Sequence, residues 1–335
     1  MAGIIFSKSS GVNDSIFGKS QEPIKAIIMQ AVESFQEKSL IDKLFYMDKS
    51  KNHSEKYTIE TALGDFSPVG ENGAYPVTGF QEGFAKVIEP DTWKSQFAVT
   101  QEMIEDAKIG KIKSRVKQFT LSYNRTREKY GAGLLALGTQ KMITFGGKTY
   151  DATCADKTAL FNAAHPSATK GSKLTQSNLF KAAFSQGVMD TMQEMMQKFT
   201  DDDGNLLNVM PDTIIIPNSG ALKRAVFAAV GSELDPDSSN NAWNFQAGLW
   251  NVLVWNYLPA TLNGKPYFFM ADSQFLQDYM CLPWIDRVPL AVRSYIDNNT
   301  DANVFSGRAR FAAGFNNWRG IALCGEGFTE GITLA

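Results

Sequence analysis

The chain has 335 residues, of which 44% are hydrophobic and 20% charged, a composition that favours a folded globular protein over global disorder. Lysine and arginine (33) nearly balance aspartate and glutamate (35), so no basic excess supports tight, general binding of nucleic acid. No apolar run reaches the roughly 20 residues of a membrane span, and Cys154, Cys281 and Cys324 lie too far apart to indicate a disulfide framework.

The first 56 residues are predicted to form an arm that contains one short helix. Residues 1–22 are polar and rich in glycine and serine, which is typical of a flexible segment. An amphipathic helix is predicted over 23–37, with Pro23 at its first position. Its apolar face would consist of Ile24, Ile27, Ile28, Ala31, Val32 and Phe35.

An extended hairpin is predicted next, from strands at 56–61 and 80–88. The segment between them is rich in turn-forming residues, namely Gly64, Pro68, Gly70, Asn72, Gly73, Pro76 and Gly79. A two-stranded arm of this kind is marginally stable on its own in water. We therefore expect the arm to lie against a partner surface.

A long amphipathic helix is predicted over 111–137, after a shorter helix that begins at Thr100 and is broken by Gly110. At the standard rise the long helix would measure about 40 Å. Its apolar stripe has the spacing of one buried face and consists of Ile112, Val116, Phe119, Tyr123, Tyr130, Leu134 and Leu137. The opposite side is basic and is expected to be solvated: Lys113, Arg115, Lys117, Arg125, Arg127 and Lys129.

Short strands are predicted from about residue 140 to 173, and a helix from Thr175 or Ser177 to Phe199. Met189, Met192 and Met196 recur at helical spacing, which favours a core over a pliable binding surface. A buried strand is expected over 213–216, followed by a helix over 219–230. This alternation indicates a mixed α/β region that extends to about residue 272, with strands at 288–296 and 308–315 beyond it.

The sequence predicts no catalytic, cofactor-binding or metal-binding residue. His53 and His165 accompany neither a nucleophile elbow nor an HExxH or CxxC pattern, and we interpret them as surface or packing residues. Gly147-Lys148-Thr149 resembles the end of a phosphate-binding loop, but Met142 occupies the place of the first glycine. A hairpin turn accounts for that segment better.

Two further patterns resemble ligand motifs without meeting their requirements. Gly131-Ala132-Gly133 matches a loose dinucleotide fingerprint, but it falls inside the predicted long helix and would at most mark close packing. The acidic segment from Asp201 to Asn205 lacks the alternate spacing and the closing glutamate of a calcium loop. We expect it to form a solvated turn.

Three segments, taken in their order along the chain, resemble the major capsid proteins of tailed bacteriophages with the Hong Kong ninety-seven-type fold. The closest resemblance is to the Mu-like major head subunit family. The segments are Phe97 to Asp106, before the long helix; Asp202 to Pro217, a turn followed by a Pro-Asp strand; and Arg308 to Arg319, with Gly314 and Trp318-Arg319. The resemblance extends over most of the chain, from about Ile24 onward.

The resemblance implies an α+β fold divided into four parts. Residues 1–56 would form the N-terminal arm with its short helix, and 57–96 the extended E-loop. Residues 97–173 and 273–335 would form the P-domain with its spine helix, and 174–272 the A-domain. Trp318 would be buried against the spine helix. Some relatives cross-link a lysine of the arm, and Lys86 and Lys94 are available, but no feature of the sequence supports that chemistry.

The function that the resemblance implies is structural, not enzymatic. The subunit would self-assemble into hexamers and pentamers of an icosahedral shell around double-stranded DNA, without sequence-specific binding. Because only about 22 residues precede the first predicted helix, a separate scaffolding protein is implied, together with a portal; a decoration protein is a further candidate, and no membrane is involved. The virion capsid, assembled in the host cytoplasm, would be its location. Two alternatives remain: an encapsulin-like nanocompartment that encloses a cargo enzyme, and an enzyme with an unrecognised site.

Overall fold

The structure is a computed structural model of the chain. It describes residues 28, 30, 32, 39–60, 66–71, 73–77, 79, 82–106, 109–169, 173–233 and 243–334. The predicted arm at 1–22 and most of the predicted helix at 23–37 lie outside these residues, although Ile28, Gln30 and Val32 are helical. None of the described helices is both long enough and apolar enough to cross a membrane.

Helices and strands are numbered in chain order. The helices with described bounds are α1 (Ile41–Leu44), α2 (Gln101–Glu105), α3 (Ile109–Ala136), α4 (Gln186–Gln197), α5 (Gly220–Gly231) and α6 (Ser273–Asp278). The strands are β1 (Tyr46–Asp48), β2 (Glu55–Glu60), β3 (Glu82–Ile88), β4 (Asp91–Val99), β5 (Met142–Phe145), β6 (Lys148–Asp151), β7 (His165–Pro166), β8 (Thr175–Gln176), β9 (Leu179–Lys181), β10 (Thr213–Pro217), β11 (Asn251–Trp255), β12 (Tyr267–Ala271), β13 (Pro283–Asp297), β14 (Ala302–Ala313), β15 (Ile321–Gly325) and β16 (Ile332–Thr333).

One sheet has four strands in the order β1–β13–β14–β4. β13 and β14 form a long antiparallel hairpin, β4 pairs antiparallel with β14, and β1 pairs parallel with β13. Side chains alternate along β14, so that Gly307 and Ala309 are buried while Arg308 is exposed. Helix α3 covers the buried face so closely that a Cβ at Gly307 would lie 2.5 Å from the ring of Phe119. Glycine is therefore required at this position.

The second sheet has six strands in the order β11–β10–β12–β15–β9–β16. Strands β10, β12 and β15 are buried along their whole length, which explains the continuous apolar run at 213–216. β15 pairs with β12 and β9, and β16 pairs with β9, although both come from the last part of the chain. The range 273–335 thus contributes strands to both sheets. The predicted α+β class is confirmed.

Helix α3 confirms the predicted long helix, and its stripe packs on the four-stranded sheet. Val116 and Phe119 are buried, and Phe119 contacts the ring of Phe97 on β4. The predicted break at Gly110 is wrong, because Gly110 lies inside α3 and α2 already ends at Glu105. A Cβ at Gly110 would meet no atom within 4 Å, so this glycine does not interrupt the packing.

Arg127 does not lie on the solvated side of α3, as the sequence predicted. Its guanidinium forms a two-pronged ion pair with Asp286 of β13, with Nη1–Oδ1 at 2.7 Å and Nη2–Oδ2 at 2.9 Å. The same group lies 4.9 Å above the ring of Trp284 and 5.2 Å from that of Phe311. Arg127 therefore fastens the long helix to the sheet through a partner 159 residues further along the chain.

The helix predicted to begin at Thr175 or Ser177 begins only at Gln186. Ser185 caps it, because its hydroxyl accepts a hydrogen bond from the Val188 N–H at 3.1 Å. The preceding residues form β8 and β9 instead, since Leu179 pairs with the buried strand β15. Met189, Met192 and Met196 of α4 are fully buried, which confirms the interpretation as core.

Trp318 is buried as predicted, but the prediction that it packs against the long helix is wrong. Its ring stacks on His165 at a centroid distance of 4.2 Å and meets Phe199 edge-on at 5.2 Å. The rings around Tyr130 of the long helix are instead those of Trp93, Phe145, Tyr150, Trp284 and Phe311. The reason is that β14 ends at Ala313, after which the chain leaves the four-stranded sheet and enters β15 of the other sheet.

Candidate functional site

The residue types that could supply chemistry are dispersed or inaccessible. His53 is exposed, whereas His165 is buried. All three cysteines are buried and unpaired, and burial raises the pKa of each thiol, to about 12 at Cys324. Across the part of the chain that the structure describes, no three His, Cys, Asp or Glu side chains are grouped so that they could hold a metal ion.

The glycine patterns have structural roles. Gly146 and Gly147 have φ values of 59° and 82° and form the tight turn between β5 and β6, as predicted for this segment. Gly131 lies within α3, where an added Cβ would be 3.4 Å from Trp255 and 3.5 Å from Ile41 and Phe45. It therefore marks a close approach of neighbouring elements to the helix.

His165 is the centre of a buried polar cluster whose geometry is not that of a catalytic triad. Its Nδ1 lies 2.6 Å from Asp156 Oδ2 and 2.9 Å from Thr158 Oγ1, so the hydroxyl and the carboxylate share one ring nitrogen. In a triad they face opposite nitrogens. Burial alone would raise the pKa of Asp156, but hydrogen bonds from His165 and Thr158 hold it below its usual value.

The other ring nitrogen of His165 also faces an acceptor. Nε2 is 3.0 Å from Oδ1 of Asn178, and the Asn178 amide is oriented because its Nδ2 donates to the carbonyls of Leu160, Trp318 and Ile321. The two ring nitrogens of His165 therefore lie against oxygen atoms on opposite sides, the Asp156 carboxylate at Nδ1 and the Asn178 amide oxygen at Nε2. The cluster joins the loop before β7 to the segment that leads into β15.

The acidic turn was predicted to be solvated, but Asp201 and Asp202 are buried, whereas Asp203 and Gly204 are exposed. Asp202 Oδ1 accepts hydrogen bonds from Arg319 Nη2 at 3.0 Å and from the Ala168 N–H at 3.1 Å. Arg319 Nε donates to the Thr200 carbonyl at 2.8 Å, and its guanidinium lies 4.8 Å above the ring of Trp318. The prediction is wrong because the charged partner is 117 residues away, where no local pattern shows it.

The hairpin of β2 and β3 is fixed at its base. Tyr57 and Ile88 pack with Ile285 and Ala312 of the four-stranded sheet in a separate small core. The Tyr57 hydroxyl donates to Asp48 Oδ2 at 2.7 Å, and burial together with this hydrogen bond raises the pKa of Tyr57. The base of the arm therefore belongs to the subunit's own interior.

Lys86 is a second anchor of the arm. Its Nζ donates to Asp151 Oδ2 at 2.8 Å and to Thr153 Oγ1 at 3.0 Å. Burial would raise the pKa of Asp151, but the bonds from Lys86 and Thr153 outweigh it and lower that pKa. Lys86 is thus buried in an ion pair, whereas Lys94, the other lysine considered for cross-linking, is exposed.

The tip of the arm is bare. Among its described residues, Phe66, Tyr75 and Val77 are 104%, 94% and 97% exposed, and Val69 is also exposed. Large apolar side chains gathered on one exposed segment mark an interaction site. The arm thus has an anchored base, while the large apolar side chains among the described residues of its tip are exposed.

Glu128, also on α3, joins two other parts of the subunit. Its Oε1 accepts from Ser39 Oγ at 2.6 Å, and its Oε2 accepts from Trp255 Nε1 of β11 at 2.7 Å. Neither the contacts of Glu128 nor the buried position of Arg127 was predicted from the sequence. A signal for Arg127 was present, because the apolar stripe jumps from Tyr123 to Tyr130 and position 127 fills the gap at helical spacing.

Comparisons with solved structures show likeness to shell-forming proteins. The virus-like particle from Pyrococcus furiosus is 9% identical and has a TM-score of 0.50, covering 92% of this chain and 100% of its own. A structure from Mycobacterium phage Patience is 12% identical in sequence, and the match covers 95% of this chain and 88% of that chain with a TM-score of 0.49. A chain from the capsid of the native GTA particle is 12% identical, and the match covers 85% of this chain and 89% of that chain with a TM-score of 0.49. At 9% identity, the likeness to the virus-like particle shows a similar fold and nothing more. A comparison of the sequence with curated proteins finds no match.

A family model described as phage capsid protein matches residues 83–324, well over half of the chain. This range contains the long helix, both sheets almost completely and the second strand of the arm. The role of such a protein is structural. The chain therefore belongs to the phage capsid protein family and is a structural subunit of a capsid shell.

Proposed function

We propose that this chain is the major head subunit of a tailed bacteriophage, related to the Mu-like head subunits. In the proposal it assembles in the host cytoplasm into hexamers and pentamers of an icosahedral shell around double-stranded DNA. The observation that supports this most is the arm, because its base is anchored by Tyr57 and Lys86 while its apolar tip is exposed. If the subunit buried these tip side chains in its own core, it would have no exposed apolar segment with which to contact a neighbouring copy.

The physical basis of assembly is burial of the arm tip on a neighbouring copy. Each Å² of apolar surface removed from water contributes about 25 cal/mol, so a few large side chains supply several kcal/mol per contact before the entropy cost of association. Contacts of this size are individually reversible, and their repetition around a closed shell makes the whole stable. We assign the E-loop to residues 57–96, the P-domain to 97–173 and 273–335, and the A-domain to 174–272.

The enclosed DNA would be held by the shell and not by tight binding to each subunit. The formal net charge of −2 supports this, because counterion release would contribute little without a basic surface of many residues. The exposed basic residues of the long helix, such as Lys117 and Lys129, could face the lumen in such a shell. A scaffolding protein, a portal and a decoration protein complete the proposed set of partners.

Deletion of residues 66–77 tests the role of the arm. We expect the truncated subunit to keep a cooperative melting transition in circular dichroism, because the base and both sheets are untouched, and to form no shells in electron micrographs. Full-length protein expressed in parallel is the control and should form closed particles. Loss of the melting transition on deletion would instead make the tip part of the subunit's own core.

A second candidate is a shell that encloses a cargo protein. The likeness in fold to the virus-like particle from Pyrococcus furiosus supports a shell in either case and does not distinguish a cargo from a genome. The contents of purified particles distinguish the two functions. We expect DNA of the phage genome that resists added nuclease; a single co-purifying protein without such DNA would favour the cargo shell.

A further inference from the structure

The solvent-exposed face of the long helix α3 contains basic side chains and no acidic one. The only acidic residue of the helix is Glu128, which is buried and accepts hydrogen bonds from Ser39 and Trp255. Exposed helices ordinarily combine both signs, because acidic and basic residues four positions apart stabilise each other. The exposed face of α3 has no such pair. Its basic residues are Lys111, Lys113, Arg115, Lys117, Arg125 and Lys129.

The spacing of these residues places like charges next to each other. Lys111 and Arg115 are four residues apart, and so are Arg125 and Lys129. Like charges at this spacing destabilise a helix. None of the four forms an ion pair with a residue in the described part of the chain. A helix that retains this repulsion without a described partner fits an anionic ligand.

The polar side chains of this face follow one line and border a groove. They recur every three or four positions over about 27 Å of helix: Lys111, Arg115, Gln118, Ser122, Arg125 and Lys129. The middle four line an open groove of about 590 Å³ between α3 and the edge strand β4, where Arg115 Nη1 donates to the Ala98 carbonyl. None of the described lining residues is acidic. Guanidinium, amide and hydroxyl groups are the donors that contact phosphate oxygens.

We propose that this face of α3 binds the phosphate backbone of double-stranded DNA. The inference rests on the proposed function, which encloses DNA in the shell, and it adds which surface of each subunit meets that DNA. The chain has a formal net charge of −2, so acidic residues elsewhere balance the cations of this face. Repulsion from those acidic surfaces would turn α3 toward the DNA. Each subunit contributes a few phosphate contacts, and the shell repeats them on every copy.

A duplex suits this face better than a protein or a single strand does. Protein interfaces are anchored by large apolar and aromatic side chains, and Leu121 is the one such side chain exposed on the described part of α3. Single-stranded nucleic acid is bound largely by stacking on aromatic rings. Phe119 and Tyr130 are buried, and Tyr123 is half-buried against Phe311, so α3 offers no ring for stacking. Charge and polar donors remain, which are the contacts that a duplex backbone makes.

Neutralising the face tests the inference. The helix variant combines Lys111→Gln, Lys117→Gln, Arg125→Gln and Lys129→Gln. The control variant removes four exposed charges elsewhere, with Lys51→Gln, Lys141→Gln, Lys173→Gln and Lys198→Gln. Fluorescence anisotropy measures binding of a short labelled DNA duplex to unassembled subunits over a series of salt concentrations. For the natural and control proteins we expect the same steep fall of affinity with salt. The logarithmic slope of the helix variant should be smaller by about 3 to 4, because each lost phosphate contact removes about 0.9.

Several outcomes would overturn the inference. They are a helix variant that binds the duplex as the natural protein does, and a control variant that loses as much binding as the helix variant. Tighter binding of a polyglutamate peptide than of the duplex would assign the face to an acidic protein instead.

Shell formation in electron micrographs is scored separately from DNA binding. We expect the helix variant to form closed particles, because a face turned toward the DNA takes no part in contacts between subunits. Loss of particles in the helix variant alone would place α3 at such a contact and would also overturn the inference. Absence of particles from the natural sequence would count against the proposed function itself.

Discussion

The arm and the six-stranded sheet are both built from β-strands, but they place their side chains in opposite environments. Every residue of β12 is buried, whereas β3 buries only two of its residues beside an exposed tip. The sheet therefore completes its interactions within one subunit, and the arm completes only those of its base. Under the proposed function, folding and assembly depend on different regions, so changes in each region should affect different measurements.

Interrupting the long helix should have the largest effect, because α3 packs on the four-stranded sheet and its Glu128 accepts a hydrogen bond from Trp255 of the six-stranded sheet. Val116 is fully buried in the middle of the helix. Val116→Pro removes a helical hydrogen bond and introduces a ring clash, which costs about 3 kcal/mol or more besides the lost packing. We expect insoluble protein, while Lys117→Ala on the exposed side of the same turn should remain soluble. Normal soluble expression of the proline variant would contradict a continuous helix.

Removing the ring of Trp318 should destabilise the isolated subunit. The ring fills space between His165 and Phe199, and truncation of a buried tryptophan typically costs about 3–5 kcal/mol. Thermal melting of the Trp318→Ala subunit should show a clearly lower Tm. Trp243→Ala is the matched control, because Trp243 is 77% exposed and its loss should leave the Tm nearly unchanged. An unchanged Tm with impaired assembly would place Trp318 at a contact between subunits.

Acid should weaken the cluster of His165 within the folded interior. The pKa of Asp156 is lowered from 3.8 in the folded state, so its contribution is fully present above that value and is lost as the pH falls through the lower folded value. Asp156→Asn should cost about 1–3 kcal/mol at neutral pH and remove part of the fall in Tm below pH 4. Asp278→Asn, at an exposed position, should melt with the natural pH dependence. An identical acid slope in both variants would exclude this role for Asp156.

Polar substitutions at the arm tip should have the smallest effect on stability. Phe66→Ser and Tyr75→Ser remove apolar side chains that have no cover in the subunit, so the free energy of unfolding should change by no more than about 0.5 kcal/mol. Shell formation should fall in the same double variant, as followed by light scattering. A large drop in Tm would show that the tip is packed within its own subunit.

Sequence patterns predicted the helices, strands and turns that are determined by residues close together in the chain. The stripe of α3, the apolar run of β10 and the turn at Gly146-Gly147 follow from side-chain periodicity or backbone freedom, and each lies where it was expected. The base of the arm was also placed closely, since alternation and turn residues define a hairpin.

Contacts between distant residues were not predictable in this way. The ion pairs Arg127–Asp286 and Arg319–Asp202 each join segments more than a hundred residues apart, so charges that look solvated in sequence become interior. The start of α4 was missed for a related reason, since pairing with β15 makes Leu179 part of a strand. The proximity of Lys94 and Arg308 likewise depends on strand register, because the two residues lie opposite each other only when β4 and β14 align.

The position of β15 has a consequence for synthesis of the protein on the ribosome. This strand lies between β12 and β9, so residues 179–181 and 267–271 cannot be joined in one sheet until residues 321–325 have left the ribosomal tunnel. The arm of a nascent chain is therefore synthesised long before the six-stranded sheet can be completed. The six-stranded sheet is completed only near the end of translation. We therefore expect incomplete chains, which lack β15, to stay out of a growing particle.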